Sequence, residues 1–103
     1  MIRVRSICTV KYGKAREFMQ ANEALNEVCK ARGWVPAILF GAVAGAFNEF
    51  VVELDYPDLA TYEEEFNAQM TDTEFMAIFR GSADLIYPQS GRGELYETVV
   101  EIA

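Results

Sequence analysis

Apolar and polar residues alternate over the first ten positions of the chain, and the period then lengthens. The segment Ile2–Lys11 places apolar side chains at most second positions, which predicts a strand with one buried face. From Lys14 to Arg32 the apolar residues recur every three or four positions, which predicts a helix, and Gly33 is its expected C-terminal cap. The chain therefore begins with a strand followed by a helix.

The next segments predict a hairpin followed by a second helix. Val35–Val43 is apolar on both faces, so we expect a strand that is covered on both sides. A turn near Gly45 leads into a third strand with an alternating pattern. Pro57 suits the first turn of the second helix, with Asp55 or Tyr56 as its N-cap.

The last third of the chain predicts an interrupted helix, a loop and a final strand. Thr71–Glu74 resembles a capping box, so we expect the second helix to break and restart there. A loop rich in glycine and proline follows, and Glu94–Ile102 then alternates as a strand. We expect Glu97 to share a face with Arg3 and Arg5, because opposite charges pair across strands.

The order strand, helix, strand, strand, helix, strand predicts an α+β fold of the ferredoxin-like type. A strand-helix-strand unit takes a right-handed crossover, and a hairpin fixes the next strand beside the second. Repeating this unit gives a four-stranded antiparallel sheet in the order 4-1-3-2, with both helices on one face. We expect residues 1–103 to form one such domain.

The helix-free face of this sheet predicts a homodimer. Its residues combine paired charges with apolar side chains, and a second copy packed sheet against sheet would cover them. The residues expected in this interface are Arg3, Arg5, Glu49, Val51, Glu53 and Glu97. As an alternative, the two arginines could bind an anionic ligand.

Charge and length exclude several classes of partner. The 103 residues carry 16 acidic and 9 basic side chains, and the formal net charge of −7 disfavours nucleic acids. No apolar run reaches the roughly 18 residues that cross a bilayer, and the N-terminus lacks the apolar core of a signal peptide. We therefore expect neither a nucleic-acid partner nor a membrane partner.

The content of cysteine and histidine limits the chemistry. Cys8 and Cys29 form no metal or disulfide motif, which predicts reduced thiols in a cytoplasmic protein. The chain contains no histidine, so His-based triads and His-ligated haem or zinc are excluded. We expect no metal and no cofactor.

Aromatic residues predict a ligand pocket between the helices and the sheet. The expected lining is Phe18, Asn22, Trp34, Phe40, Phe50, Tyr62, Phe66, Met76 and Phe79. The alternative is that these side chains fill the core. Asn22 and Tyr62 are the candidate catalytic residues, since each could hydrogen-bond a ligand oxygen, although Asn22 could also bond to the backbone and Tyr62 could simply pack.

Short motifs resemble those of the dimeric α/β-barrel superfamily. They are Tyr12-Gly13-Lys14 with Glu17-Phe18, Gly45-x-x-Asn48, Leu54-x-Tyr56-x-Asp58-Leu59-Ala60 and Thr73-Glu74-Phe75. The chain looks most like the NIPSNAP-like and antibiotic-biosynthesis-monooxygenase-like branches. Members of this superfamily share a fold and a dimer while differing in chemistry. Its haem-dependent branches use a histidine ligand, which this chain lacks.

Three functions are compatible with this sequence, and the third of them is a purely structural or interaction module. The first is the binding of a small apolar or aromatic ligand by a homodimer. The second is a cofactor-independent monooxygenase, cyclase or isomerase acting on an aromatic or polyketide-like substrate. The absence of an obvious general base from the expected pocket favours binding.

Overall fold

The computed structural model describes residues 1–102 and has the predicted ferredoxin-like fold. The elements are β1 (Ile2–Thr9), α1 (Ala15–Ala31), β2 (Ile38–Gly41), β3 (Glu49–Tyr56), α2 (Leu59–Thr71), α3 (Thr73–Ser82) and β4 (Arg92–Glu97). The strands form one sheet in the order β2-β3-β1-β4, and every neighbouring pair is antiparallel. This order is the predicted 4-1-3-2 read from the other edge, so the predicted fold class is confirmed.

The register of the two central strands gives the sheet two distinct faces. Val4 lies opposite Leu54, and both face the helices. Arg5 lies opposite Glu53 on the face without helices. The alternation read from the sequence is therefore correct for β1 and β3.

A buried hydrophobic cluster lies where α1 packs against α3. Val28, Cys29 and Phe75 form it, and Trp34 packs on them with its ring 6.1 Å from that of Phe75. Gly33 has a φ of 71° and ends α1 as predicted, because glycine tolerates this left-handed conformation. The cap turns the chain so that Trp34 returns to the helix, with its N–H donating to the Cys29 carbonyl at 2.8 Å.

The second helix begins later than predicted. Its N-cap is Asp58, whose Oδ1 accepts a hydrogen bond from the Thr61 N–H at 2.7 Å. Asp55 remains in β3, where its carboxylate pairs with Arg3. The predicted caps, Asp55 and Tyr56, are wrong because cross-strand pairing holds both residues in the sheet.

The predicted break in the second helical region is confirmed at Asp72. This residue has an extended conformation and separates α2 from α3. Its Oδ1 accepts from the Phe75 N–H at 2.8 Å, which caps α3. Its Oδ2 accepts from Arg32 Nε at 2.6 Å, which ties the break to the end of α1.

Strand β2 is shorter than the predicted Val35–Val43. The Phe40 side chain also lies on the other face of the sheet from the one predicted. Phe40 pairs with Val51 and lies on the helix-free face, so its expected place in the pocket is wrong. A segment that is apolar on both faces contains no alternation from which to read its register. Pairing with β3 decides which side chains face the helices.

The final strand ends earlier than predicted, and its side chains lie on the opposite faces of the sheet from those predicted. It ends at Glu97, and the next residue, Thr98, donates its N–H to the Met1 carbonyl at 2.9 Å. Glu97 lies opposite Ile2, and Glu94 lies opposite Arg5. By this register Glu97 shares the face of Ile2 and not that of the arginines, although it borders the groove that contains Arg3 and Arg5.

Candidate functional site

An open cavity of about 290 Å³ lies between the sheet and the three helices. Its floor is the helix-facing side of the central strands, with Val4 and Ser6 from β1 and Val52, Leu54 and Tyr56 from β3. Its helical walls include Leu25, Phe66, Met70, Phe75 and Phe79. The lining is mainly apolar, as in ordinary sites for small molecules.

Four of the nine predicted pocket residues line this cavity. They are Asn22 from α1, Tyr62 and Phe66 from α2, and Phe79 from α3. Tyr62 and Phe66 are one turn apart on α2, with ring centroids 6.0 Å from each other. The helical period read from the sequence therefore predicted this wall of the cavity.

Four other predicted pocket residues fill the core instead. Phe18 packs on Phe50, with ring centroids 5.3 Å apart, and both lie outside the cavity lining. Trp34 and Met76 pack against the cluster between α1 and α3. Core filling was the stated alternative, and these residues follow it.

Asn22 lines the cavity while its amide is partly engaged. Its Nδ2 donates to the Phe18 carbonyl at 2.9 Å, one turn earlier in α1. This bond uses the amide nitrogen and leaves Oδ1 as an acceptor for a ligand donor. The bond to the backbone is the alternative considered for Asn22 in the sequence, and its role toward a ligand stays a prediction.

Asn26, which sequence reasoning missed, fixes one side of the cavity. Its Nδ2 donates to the Ala37 carbonyl at 2.8 Å, and its Oδ1 accepts from the Ala37 N–H at 3.0 Å. The amide thus replaces a strand neighbour for the segment that precedes β2. Its spacing of four residues from Asn22 was the available indication in the sequence.

Two further polar residues of the lining are deeply buried, and both were missed as pocket residues. Gln69 is 8% exposed and Tyr56 is 3% exposed, and both belong to the lining of the cavity. Gln69 lies seven residues after Tyr62, which puts both on one face of α2. That helical spacing was sufficient to find Gln69.

Two ionisable groups of the cavity, Tyr56 and Cys29, have raised pKa values. Burial, with the nearby Glu65 carboxylate, raises the pKa of Tyr56 to about 12. Burial and the same carboxylate also raise the pKa of the Cys29 thiol. Near neutral pH neither group is a ready base or thiolate nucleophile.

The helix-free face carries a ladder of ion pairs. Arg3 makes two bonds to Asp55, with Nε at 2.8 Å and Nη2 at 3.0 Å. Arg5 Nε lies 3.0 Å from Glu53 Oε2, a Coulombic contact without hydrogen-bond alignment. Because both arginines already pair with carboxylates, the ladder fits the predicted set of interface ion pairs better than a site for an anionic ligand.

Apolar side chains lie beside this ladder. Phe40 from β2 is 47% exposed, and Ile38 and Tyr96 are also exposed. Phe40 shares a shallow groove with Glu49, Val51 and Glu53, which were predicted on this face. Exposed aromatic and branched side chains next to paired charges are features of protein interfaces.

Within residues 1–102, no group of three or more cysteine, aspartate or glutamate side chains is arranged to hold a metal ion. No helix in the same range is long and apolar enough to cross a membrane.

Comparisons with known proteins identify the fold. No protein-family model matches the sequence, and no curated protein matches it significantly. A NIPSNAP domain protein from Burkholderia xenovorans is similar over 100% of this chain and 99% of its own, with 12% identity and a TM-score of 0.81.

Two more solved structures agree with this likeness. A NIPSNAP family protein from Agrobacterium tumefaciens is 18% identical, with a TM-score of 0.77 over 93% of this chain and 90% of its own. An antibiotic biosynthesis monooxygenase is 17% identical, with a TM-score of 0.74 over 97% of this chain and 100% of its own. The chain thus shares the fold of the proteins that its motifs resemble.

Proposed function

We propose that the protein binds one small apolar or aromatic molecule in the cavity between its helices and sheet. The observation that carries this proposal is an open, mainly apolar cavity whose lining also includes a few amide and hydroxyl side chains. An exposed serine in a central strand, Ser6, supports it, since a filled core would cover this position. Binding is favoured over catalysis because Tyr56 and Cys29 are both protonated near neutral pH.

The alternative is a cofactor-independent monooxygenase, cyclase or isomerase acting on an aromatic or polyketide-like substrate. The structural likeness to an antibiotic biosynthesis monooxygenase supports it. In such an enzyme Asn22 and Tyr62 would orient the substrate oxygen. Oxygen uptake with anthrone, an easily deprotonated polycyclic ketone, would favour the enzyme if the protein raised the rate above that of buffer.

Ligand binding is tested with 2-ethylnaphthalene, an aromatic hydrocarbon without polar atoms. We expect it to raise the midpoint of thermal unfolding in a concentration-dependent way, because a ligand that binds only the folded state stabilises it. Ser6→Leu should fill the cavity and abolish the shift, whereas Ser82→Leu, outside the lining, should keep it. An equal shift in both variants would contradict binding at this cavity.

We further propose that the protein is a cytoplasmic homodimer joined through its helix-free sheet face. The exposed Phe40, Ile38 and Tyr96 support the interface, together with charges that are already paired within each subunit. Two cysteines without a disulfide fit a reducing compartment.

A further inference from the structure

The hairpin loop that joins β2 to β3 is exposed and contains no polar side chain. From Gly41, the last residue of β2, to Phe47 its sequence is GAVAGAF, and all of these residues are exposed. Val43 is fully exposed and Phe47 is 74% exposed. Contiguous apolar surface of this kind marks a site of contact with another molecule or with a lipid surface.

Tyr12, in the turn between β1 and α1, enlarges this apolar surface. Its ring stacks on that of Phe47, with centroids 5.9 Å apart. Tyr12 is itself 77% exposed, so the stacked pair is largely open to solvent. The Tyr12 N–H donates to the Tyr87 hydroxyl at 3.4 Å, and Tyr87 is also exposed. We call the surface formed by residues 41–47, Tyr12 and Tyr87 the apolar tip.

Hydrogen bonds hold the segments of the apolar tip at one end of the sheet. The Val10 N–H donates to the Asn48 carbonyl at 2.9 Å, and Asn48 Nδ2 donates to the Val10 carbonyl at 3.3 Å. The Lys11 N–H donates to the Leu85 carbonyl at 2.8 Å. The apolar tip is therefore fixed to the end of β1.

Basic residues border the apolar tip in a chain that is acidic overall. Lys11, Lys14 and Arg16 flank Tyr12 with no acidic residue among them. Four basic and three acidic side chains belong to the segments that meet at this end, residues 11–17, 41–49 and 84–92. The whole chain has 9 basic and 16 acidic side chains, so its negative charge comes from elsewhere. Only this end is suited to approach a negatively charged surface.

The shape and composition of the apolar tip fit a lipid surface. Val43 is fully exposed, and a Cβ added at Gly45 would have no neighbour within 4 Å, so the loop protrudes. Alanine and glycine offer few anchors to a folded protein, whose interfaces favour aromatic residues and arginine. A bilayer requires only apolar side chains, with tyrosine and lysine at the level of its headgroups.

We propose that the apolar tip docks the protein on the surface of a bilayer that contains anionic phospholipid. Val43 and Phe47 enter the boundary between headgroups and acyl chains, and Lys11 and Arg16 contact lipid phosphates. Lys14 is already paired with Glu17 at 3.3 Å. The expectation of no membrane partner rested on the lack of a spanning run and of a signal peptide, and this mode requires neither. No residue of the apolar tip lines the cavity, so the two sites are independent.

Cosedimentation with lipid vesicles tests the docking. The vesicles contain phosphatidylcholine alone or equal parts of phosphatidylcholine and phosphatidylglycerol. We expect the wild type to bind the mixed vesicles more tightly, and added salt should reduce this preference because it screens the charges. The binding should be reversible, since the apolar area that enters the bilayer is small.

A double serine variant assigns the binding to the apolar tip. Val43→Ser with Phe47→Ser should weaken binding to the mixed vesicles about tenfold or more, because it removes the inserted side chains. Val99→Ser with Val100→Ser is the matched control, since it also removes two exposed apolar side chains, and it should bind like the wild type. Both variants should keep the urea midpoint of the wild type.

A double glutamine variant tests the charges. Lys11→Gln with Arg16→Gln should abolish the preference for mixed vesicles and leave the binding to phosphatidylcholine unchanged. A preference that survives in this variant overturns the role of the two basic residues.

Three other outcomes overturn the lipid site itself. They are no binding of the wild type to either kind of vesicle, equal binding by the wild type and the double serine variant, and a change in sedimentation velocity of the lipid-free serine variant. The last result would show that the apolar tip is a contact between two copies of the chain.

Discussion

Asn26 illustrates how one side chain holds a cavity open. It projects from α1 and uses both ends of its amide on the backbone of Ala37, so the segment before β2 is tied to the helix. An apolar residue at this position would pack into the cavity and leave the backbone of Ala37 unpaired. The polar residues of α1 therefore define the space as much as the aromatic residues do.

Replacing Asn26 with alanine should destabilise the protein by roughly 1–3 kcal/mol, since two hydrogen bonds to a part-buried backbone are lost. Urea unfolding followed by circular dichroism measures the change. Asn67→Ala is the control, because Asn67 is an exposed helical residue whose side chain forms no hydrogen bond within residues 1–102. Both variants share the gain in helix propensity. Equal stabilities would contradict the role assigned to Asn26.

Tyr56 should make the stability of the protein fall at alkaline pH. Its pKa in the folded state is raised to about 12, above the ordinary value near 10, so the unfolded state loses this proton first. Stability from this group is complete below about pH 10 and is lost as the pH rises toward 12. Tyr56→Phe should therefore lose less stability than the wild type between about pH 9 and about pH 11. Parallel losses in urea unfolding would contradict this prediction.

At the scale of elements, two aspartates divide the second helical region. Asp58 starts α2 and Asp72 starts α3, each by accepting from a backbone N–H three residues later. Asp72 also pairs with Arg32 at the end of α1, so it positions α3 relative to α1. The cavity wall formed by Gln69 and Phe75 lies on either side of this break.

Asp72→Ala should cost more stability than Asp58→Ala. Each substitution removes an N-cap, worth about 1 kcal/mol, but only Asp72→Ala also breaks an ion pair with arginine. Urea unfolding of the two variants gives the comparison. Asp72→Asn keeps a capping oxygen and should lie between the wild type and Asp72→Ala. A larger loss in Asp58→Ala would contradict the coupling of the break to α1.

The contribution of Asp72 to the free energy of unfolding should depend on pH. The Phe75 N–H and the Arg32 guanidinium lower the pKa of Asp72, so its contribution is present above the ordinary pKa and is lost as the pH falls through the folded value. The wild type should lose more stability than Asp72→Asn between about pH 6 and about pH 3. Identical acid profiles would mean that the carboxylate charge is irrelevant.

At the scale of the whole molecule, the two faces of the sheet carry separate proposed functions. The helix-covered face contains the cavity, and the helix-free face contains the ion-pair ladder with Phe40. Phe40 and Phe66 have nearly the same exposed fractions, 47% and 45%, yet they belong to different faces. This pair allows the two functions to be separated by matched substitutions.

Phe40→Glu should convert the proposed dimer to a monomer, because an added charge on a closely packed interface is costly to bury. Sedimentation velocity at micromolar concentration measures the oligomeric state. Phe66→Glu should leave the dimer intact and weaken the binding of 2-ethylnaphthalene, while Phe40→Glu should retain that binding. A wild-type protein that sediments as a monomer would contradict the dimer.

The sequence by itself determined the order of elements, the sheet order and the break at Asp72. These follow from local periodicity, chain connectivity and capping, which act between near neighbours. It also predicted Tyr62, Phe66 and Phe79 for the cavity, since helical spacing puts them on the inner faces of α2 and α3.

Only the tertiary structure decided the facing of Phe40 and Glu97, and only it distinguished cavity from core. The face on which each of these side chains lies depends on the register of the edge strands β2 and β4. The local sequence of these strands does not fix that register. Whether an aromatic residue fills the core or lines a void depends on how closely the surrounding helices and strands pack in three dimensions. For this reason Phe18 and Trp34 pack inside, whereas Gln69 and Tyr56 face the space that remains.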